Sequence, residues 1–403
     1  MTSFSRSMIP VEKILLPEVI EHEYEIGFLA SLGAKYSGKT IGFDIAEPSF
    51  NTPAHIKKAM VDALKRKDAT HYTRIRGLPE FVTAVSKFYS RRFGIDTDPM
   101  NQILATVGSG EALYIVFASM VAKEDEFIIP NPTFPNYAAQ LHLHGGIPKF
   151  VKCKDDFHLD PATIENAVTK RTKGIVLCTP NNPTGAVYDR KELQDVLNIA
   201  ERYNLVIISD ENYSQLTYDD RSHQSIGSLP GAMERVIIVN GLSKTYAMTG
   251  WRLGYVLARR DLVEQFEKLA YEIRGSVNTA VQYAGVAALN GPQNVVRKIV
   301  RESDRRRKLL VKLLRQAGFE CHMPEGGYET FPKVPESLSG SIELTKYLAE
   351  KVGVIVKPGV FFGPDGDRYF RVVYCVDDKV IREGMARVAR TMNPLRKRLE
   401  SVA

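Results

Sequence analysis

Cysteine is scarce and scattered in this chain. Cys153, Cys178, Cys321 and Cys375 stand among 403 residues, and no two form a Cys-x-x-Cys pair. That spacing excludes a zinc ribbon and a disulfide scaffold, gives no metal-ligand set, and points to free thiols in a reducing cytoplasm. Long apolar runs are missing too; nothing approaches the roughly 20 residues that cross a bilayer. In the opening stretch, MTSFSRSMIPVEKILLPEVIEHEYE, charge interrupts every short apolar run, so no signal peptide is expected. There is no internal repeat and no low-complexity linker.

Acidic residues are in deficit. Lys and Arg number 54 against 47 Asp and Glu, a net charge of +7. A basic excess can serve nucleic acid, but here the basic residues are dispersed among acids. The densest stretch, VVRKIVRESDRRRKLLVKLLRQAG, has helical spacing. Ile299, Leu309, Leu310, Leu313 and Leu314 share one stripe, which leaves the arginines to the solvated face. Neither a nucleic-acid nor a membrane partner is expected.

What is present is alternation. Residues 17–36 read as a helix, and IGFDIAEPSF as a strand ending at Pro48. From about residue 53, helical stretches alternate with seven short apolar runs: ILATV, EFIIP, IPKFVKC, GIVLC, LVIIS, VIIVN and GYVLA. This order predicts an α/β fold whose large unit, residues 50–293, holds a mostly parallel seven-stranded sheet flanked by helices. Residues 1–49 and 294–403 are assigned to a smaller α+β unit. In such sheets ligands bind beyond the carboxyl ends of the strands, so chemistry is sought just after each run.

One motif misleads. GAKYSGKT, residues 33–40, satisfies the phosphate-loop pattern Gly-x-x-x-x-Gly-Lys-Ser/Thr. The phosphate loop needs a strand before it and a helix after it. Here the predicted order is reversed, and Gly33 reads as a helix C-cap.

The strand ends carry a different set. After ILATV, Gly108, Ser109 and Gly110 open a helix whose amides can cradle a phosphate. After EFIIP, Phe134 can stack on a flat ring. After GIVLC, Asn182 sits in Asn-Pro-Thr-Gly turn chemistry and can bond a ligand oxygen. After LVIIS comes Asp210, a carboxylate at the end of an apolar strand, where it needs a cation; Tyr213 follows three residues later. After VIIVN, Lys244 stands between Ser243 and Thr245, and Arg252 follows. A lysine at a dry strand end loses its proton readily and becomes nucleophilic. Arginine offers a rigid fork for phosphate. A lysine, an acid, a stacking ring and a phosphate cradle at one edge are what pyridoxal 5′-phosphate requires.

At this point the chain resembles the class I/II pyridoxal-phosphate-dependent aminotransferases of fold type I, aspartate aminotransferase-like, over nearly its whole length. The matching stretches are EPSFNTP, HYTRIRGLPE, TVGSGEAL, NPTFPNY, TPNNPTG, SDENYSQLTYD, SKTYAMTGWRLGY, KPGVFFG and YFRVVY. The resemblance implies Lys244 as the internal aldimine and Asp210 on the pyridine nitrogen. It implies Tyr213 and Asn182 on the ring hydroxyl oxygen, with Phe134 on the ring face. Ser109, Gly110 and Arg252 would hold the phosphate, joined by Tyr72 from a partner subunit, since the family's site is shared across a homodimer; Gly108 and Ser243 are counted with the cofactor-binding residues. Arg371 would bind the substrate α-carboxylate.

Two departures stand out. A hydroxyl residue is often found where this chain has Gly241, and the usual glycine before Glu47-Pro48 is Ala46, which narrows the substrate pocket. The reaction implied is ping-pong amino transfer between an L-amino acid and 2-oxoglutarate, with Lys244 as base and acid. Aspartate is the first donor considered, with alanine and aromatic amino acids open. A distal carboxylate needs a second cation: Arg74, Arg76 and Arg274 are candidates, Arg76 first. A carbon–sulfur lyase would share every cofactor residue. A cofactor-responsive transcription regulator would need a DNA-binding domain ahead of IAEPSF, where about 45 residues leave little room.

Overall fold

The computed structural model describes residues 25–400. The first half of the expected N-terminal helix, 17–24, lies outside the described residues; the described part runs Glu25–Ala34. All seven apolar runs form strands: β2 (Ile103–Thr106), β3 (Glu126–Asn131), β4 (Ile147–Lys152), β5 (Thr172–Cys178), β6 (Val206–Asp210), β7 (Val236–Gly241) and β8 (Gly254–Leu257). They make one sheet of order β2-β8-β7-β6-β5-β3-β4. β8 runs against both neighbours and the remaining strands run together.

Why these runs are apolar without a break is visible in the packing. Ile207, Ile238 and Leu257 face one core, while Ile208, Ile237, Val239 and Val256 face another on the opposite side. Strand side chains alternate, so a sheet covered on both faces needs an apolar residue at every position. Each such fully buried aliphatic contributes about 1.5–3 kcal/mol.

A separate core gathers Ile41, Phe43 and Ala46 with residues from Ile299 to Met392, and reaches Tyr213, Leu216 and Tyr218. It contains the short strands β1 (Ile41–Gly42) and β10 (Val354–Ile355), paired in parallel. It also contains β9 (Glu329–Thr330), β11 (Lys357–Pro358) and β12 (Phe370–Val373) in order β11-β12-β9.

Three expectations need correction. The strand expected through IGFDIAEPSF stops at Gly42. Beyond it the carbonyls of Asp44 and Ala46 accept from Arg371 and Lys244 instead of from a neighbouring strand. Gly33 does not cap a helix; it lies inside the last turn of Glu25–Ala34. A strand, β1, follows the 35–40 loop, so the phosphate-loop order of strand then helix is reversed. Finally, the arginines of helix Asn294–Gln316 do not all face solvent: Arg306 and Arg307 are buried.

Candidate active site

The chain ends its parallel strands on one cavity of about 430 Å³. Ala46, Ser109, Gly110, Phe134, Asn182, Asp210, Tyr213, Ser243, Lys244, Arg252 and Arg371 all line it. Gly108 adjoins it at the start of helix Gly108–Met120.

Lys244 leaves the turn after β7, and its Nζ donates to the Ala46 carbonyl at 2.6 Å. Burial pulls its pKa down, against the opposing pull of the Glu329 charge. Asp210 ends β6. Its Oδ2 accepts from the Tyr137 hydroxyl at 2.7 Å, and its Oδ1 from Asn212 Nδ2 at 2.7 Å and Asn212 N at 3.1 Å. Burial raises its pKa while these donors oppose the rise. Phe134 stands edge-on to Tyr137, ring centroids 5.6 Å apart.

The cradle side depends on two glycines. Gly108 has φ +77, and a Cβ there would lie 2.8 Å from Arg252 Nη2. A Cβ on Gly254 would lie 2.7 Å from Ser109 N. Leaving both bare lets the Arg252 guanidinium and the helix amides close on the same space. Arg252 itself holds a left-handed φ of 55, anchored by Nη1 on the Thr249 carbonyl at 2.9 Å. Non-glycine residues adopt that conformation only where surroundings impose it.

On the opposite wall, Arg371 of β12 donates from Nη1 to Asn182 Oδ1 at 3.1 Å and from Nη2 to the Asp44 carbonyl. Its Nε, buried, has no partner among the described residues.

Two of the expected residues stand apart from this cavity. Tyr72 is 93 % exposed and does not line it. Arg76, expected to read a distal carboxylate, also stands apart from it: Nε meets Glu267 at 2.6 Å, and Nη1 meets the Met100 carbonyl and Asn101. Its charge is matched within the fold, well outside the cavity. Arg274 is likewise held by Glu111 at 2.8 Å.

Several residues that line the cavity or bond its lining escaped the sequence reading. Lys357 lines the cavity and sits directly opposite Arg371 in the β11–β12 register, so both side chains leave the same face. Tyr137 and Asn212 hold Asp210. Glu329 accepts from the Tyr213 hydroxyl at 2.5 Å. The signal for Lys357 and Glu329 is the one that revealed Asp210: a lone charge inside an apolar or aromatic run, IVKPGVFF and GGYETFP.

Comparison with known proteins agrees with this geometry. The family model described as aminotransferase class I and II matches residues 38–388. Aromatic-amino-acid aminotransferase 2 of Thermococcus litoralis is 36% identical over 356 residues, covering 87% of this chain and 91% of that one. The aspartate aminotransferase of Pyrococcus horikoshii is 36% identical over 357 residues, covering 87% and 90%. Among solved structures, the alanine aminotransferase from Pyrococcus furiosus superposes with a TM-score of 0.89 at 32% identity, covering 94% of this chain and all of that one. A match of this extent, in sequence and in fold alike, makes the chain a member of the class I and II aminotransferases, enzymes that depend on pyridoxal 5′-phosphate.

Proposed function

We propose that this aminotransferase moves an amino group between an L-amino acid and 2-oxoglutarate, with Lys244 joined to the cofactor at rest and acting as base and acid at the substrate Cα. The observation that carries the reading is Lys244 itself. It is the lysine beyond β7, at the edge of a cavity whose opposite ends hold a buried acid and an arginine-backed helix N-terminus.

The residues present fit the cofactor. The bare cradle at Gly108, kept open for Arg252 Nη2, matches a phosphate, with Ser109, Gly110 and Ser243 beside it. When bound, pyridoxal phosphate supplies a ring that accepts the electrons of the broken Cα–H bond. Asp210, fixed by Tyr137 and Asn212, holds a proton at the ring nitrogen. Phe134 would cover the ring face, and Asn182 and Tyr213 would meet its hydroxyl oxygen. Arg371 takes the substrate α-carboxylate, to which its unpartnered Nε is open. Burial leaves Lys244 readily deprotonated, so once freed it can take the Cα proton and return it.

Lys357 replaces Arg76 as the cation proposed to select dicarboxylates, because it shares a face with Arg371. The exposed Tyr72 suits service in the site of a second copy, which supports a homodimer with shared sites. Four free buried thiols agree with a cytoplasmic location. Among the described residues no helix is long and apolar enough to cross a membrane.

The test is the visible spectrum of the cofactor-loaded protein, with single amino acids added and no 2-oxo acid. Aspartate or glutamate should convert the yellow form to the pyridoxamine form, and 2-oxoglutarate should restore it. Lys357→Ala should slow the glutamate conversion and leave alanine unchanged. Pyruvate and ammonia released without an acceptor would replace the reading with β-elimination.

A further inference from the structure

We propose that a second cavity, separate from the one at Lys244, binds a small organic diphosphate, with two arginines from each of two helices closing on its phosphates. The two cavities share no lining residue, so the inference stands whichever amino acid is the donor.

The cavity holds about 540 Å³ between the end of helix Pro79–Phe93, the end of helix Thr279–Asn290 and the start of helix Asn294–Gln316. The first helix supplies Arg91 and Arg92, the last Arg297 and Arg301. Among the described residues no Asp or Glu lines it, and none of the four guanidinium groups stands at ion-pair distance from a carboxylate. Arg91 Nε donates to the Lys87 carbonyl at 3.1 Å, which leaves its charge unmatched. Further along the last helix the pattern is the opposite: Arg305, Arg306 and Arg307 each meet a carboxylate.

Arg91 and Arg92 have an ordinary reading, because they close a helix whose dipole favours cations at that end. Arg297 and Arg301 have none. Arg297 stands at the first turn of its helix, where the dipole opposes a cation. Arg301 follows four residues later on the same face, where like charges repel. That first turn carries no acid to offset either cost. An anion seated between the two helices offsets both. Guanidinium forks match phosphate oxygens in pairs, and forks arriving from two sides suit two phosphate groups better than one.

The floor suits an organic body. Phe88, Leu289 and Val296 belong to the core under the large sheet, and the half-buried Val300 packs against it; all four line the cavity. Phe88 precedes Arg91 by three residues and Arg92 by four, so ring and cations share one face. The polar edge is fixed in advance. The Tyr246 hydroxyl accepts from Gln215 Nε2 at 3.4 Å and donates to Gln293 Oε1 at 3.1 Å. Gln293 Nε2 takes up the Ala288 and Gly291 carbonyls at 2.9 and 2.8 Å, so the end of helix Thr279–Asn290 does not turn bare oxygens toward an anion. Burial raises the Tyr246 phenol; its bonds to Gln215 and Gln293 oppose the rise, and so do the charges of Arg91 and Arg92, which reach this edge.

The test is calorimetric titration of the holoenzyme, freed of excess cofactor, so that pyridoxal phosphate already fills the cradle at Gly108. Salt is kept at about 0.15 M to screen loose charge pairing. The probe is ADP, with inorganic pyrophosphate and AMP beside it. ADP should bind saturably, at one site per chain, and more tightly than either, since pyrophosphate lacks the apolar body and AMP the second phosphate. Arg297→Gln with Arg301→Gln should weaken ADP at least about tenfold, and Arg92→Gln, on the other helix, about threefold or more. Both variants should keep the visible spectrum of the holoenzyme, which shows that they fold and that the cavity at Lys244 is untouched. ADP that binds wild type and both variants alike sits elsewhere, and the proposal falls. Pyrophosphate or AMP binding as tightly as ADP overturns the pairing of an apolar body with two phosphates. A holoenzyme that takes up none of the three has no such site.

Discussion

Two arginines are buried almost equally and used in opposite ways. Arg307, on helix Asn294–Gln316, is 0 % exposed, and Arg371, on β12, is 4 % exposed. Arg307 meets two carboxylates, Asp219 at 2.7 Å and Asp304, together with the Pro324 carbonyl and the face of Tyr218 at 4.6 Å. Arg371 has no carboxylate at ion-pair distance among the described residues. It has an amide oxygen, a carbonyl and the Phe362 ring at 5.1 Å. Each leaves its Nε without a partner, so the carboxylates make the difference. Charge that a fold matches internally ties elements together. Charge that it buries and leaves unmatched is held for something that arrives.

The sharpest way to break that distinction is to remove each cation in turn. Arg371→Ala should lower kcat/KM by a hundred- to a thousandfold, about 3–4 kcal/mol, as expected for truncating one side of a buried charge pair. Its thermal midpoint should hold or rise, because an unmatched buried charge has gone. Arg307→Met should do the reverse. The methionine keeps the stem over Tyr218 but removes the buried cation from Asp219 and Asp304, which keep Lys308 and reach solvent, so stability should fall by about 1–3 kcal/mol in urea unfolding. Activity per folded molecule should stay within about twofold. If Arg371→Ala proved as destabilised as Arg307→Met, the contrast would collapse and Arg371 would be structural.

The same contrast explains what the sequence could tell. The seven strands and the residues after them were legible because a two-sided sheet demands unbroken apolar runs, so any polar residue at a run's end stands out. Asp210, Lys244 and Asn182 were visible on that ground. Helix periodicity gave no such warning for Arg306 and Arg307. Beyond Asp304 and Glu302 on the same helix, the partners that bury them come from distant segments: Asp219 after β6 for Arg307, Ser49 and Asp377 for Arg306. Spacing within a helix cannot report a carboxylate brought from elsewhere in the chain. Arg76 shows the mirror case. Its neighbourhood in sequence suggested a free cation, and Glu267, on helix Arg260–Arg274, neutralises it. Glu329 was hidden by the brevity of its strand, two residues long, whose apolar context is aromatic rather than β-branched.

A smaller effect sharpens the comparison on its matched side. His158 lies between two acids, Nδ1 on Glu192 at 3.0 Å and Nε2 on Glu325 at 3.2 Å. Glu192 is also part of the capping box that starts helix Arg190–Arg202, and Glu325 belongs to the stretch leading into β9, so one imidazolium joins two distant segments. Hydrogen bonds to Glu192, then Glu325, raise its pKa from 6.5 to about 10. A raised pKa means that the folded state holds the proton more tightly than the unfolded chain. The resulting stability is fully present below pH 6.5 and drains away as the pH climbs through 10. His158→Gln should therefore cost about 1–3 kcal/mol at pH 6, and the gap to the native protein should narrow steadily toward pH 10. Against its burial, hydrogen bonds from His158 and the Val187 amide hold the Glu325 carboxyl below its ordinary value, so the narrowing belongs to His158. A gap that stayed constant from pH 6 to pH 10 would mean that the imidazole is neutral in the fold, and that this junction, unlike the one at Arg307, is held by shape rather than by charge.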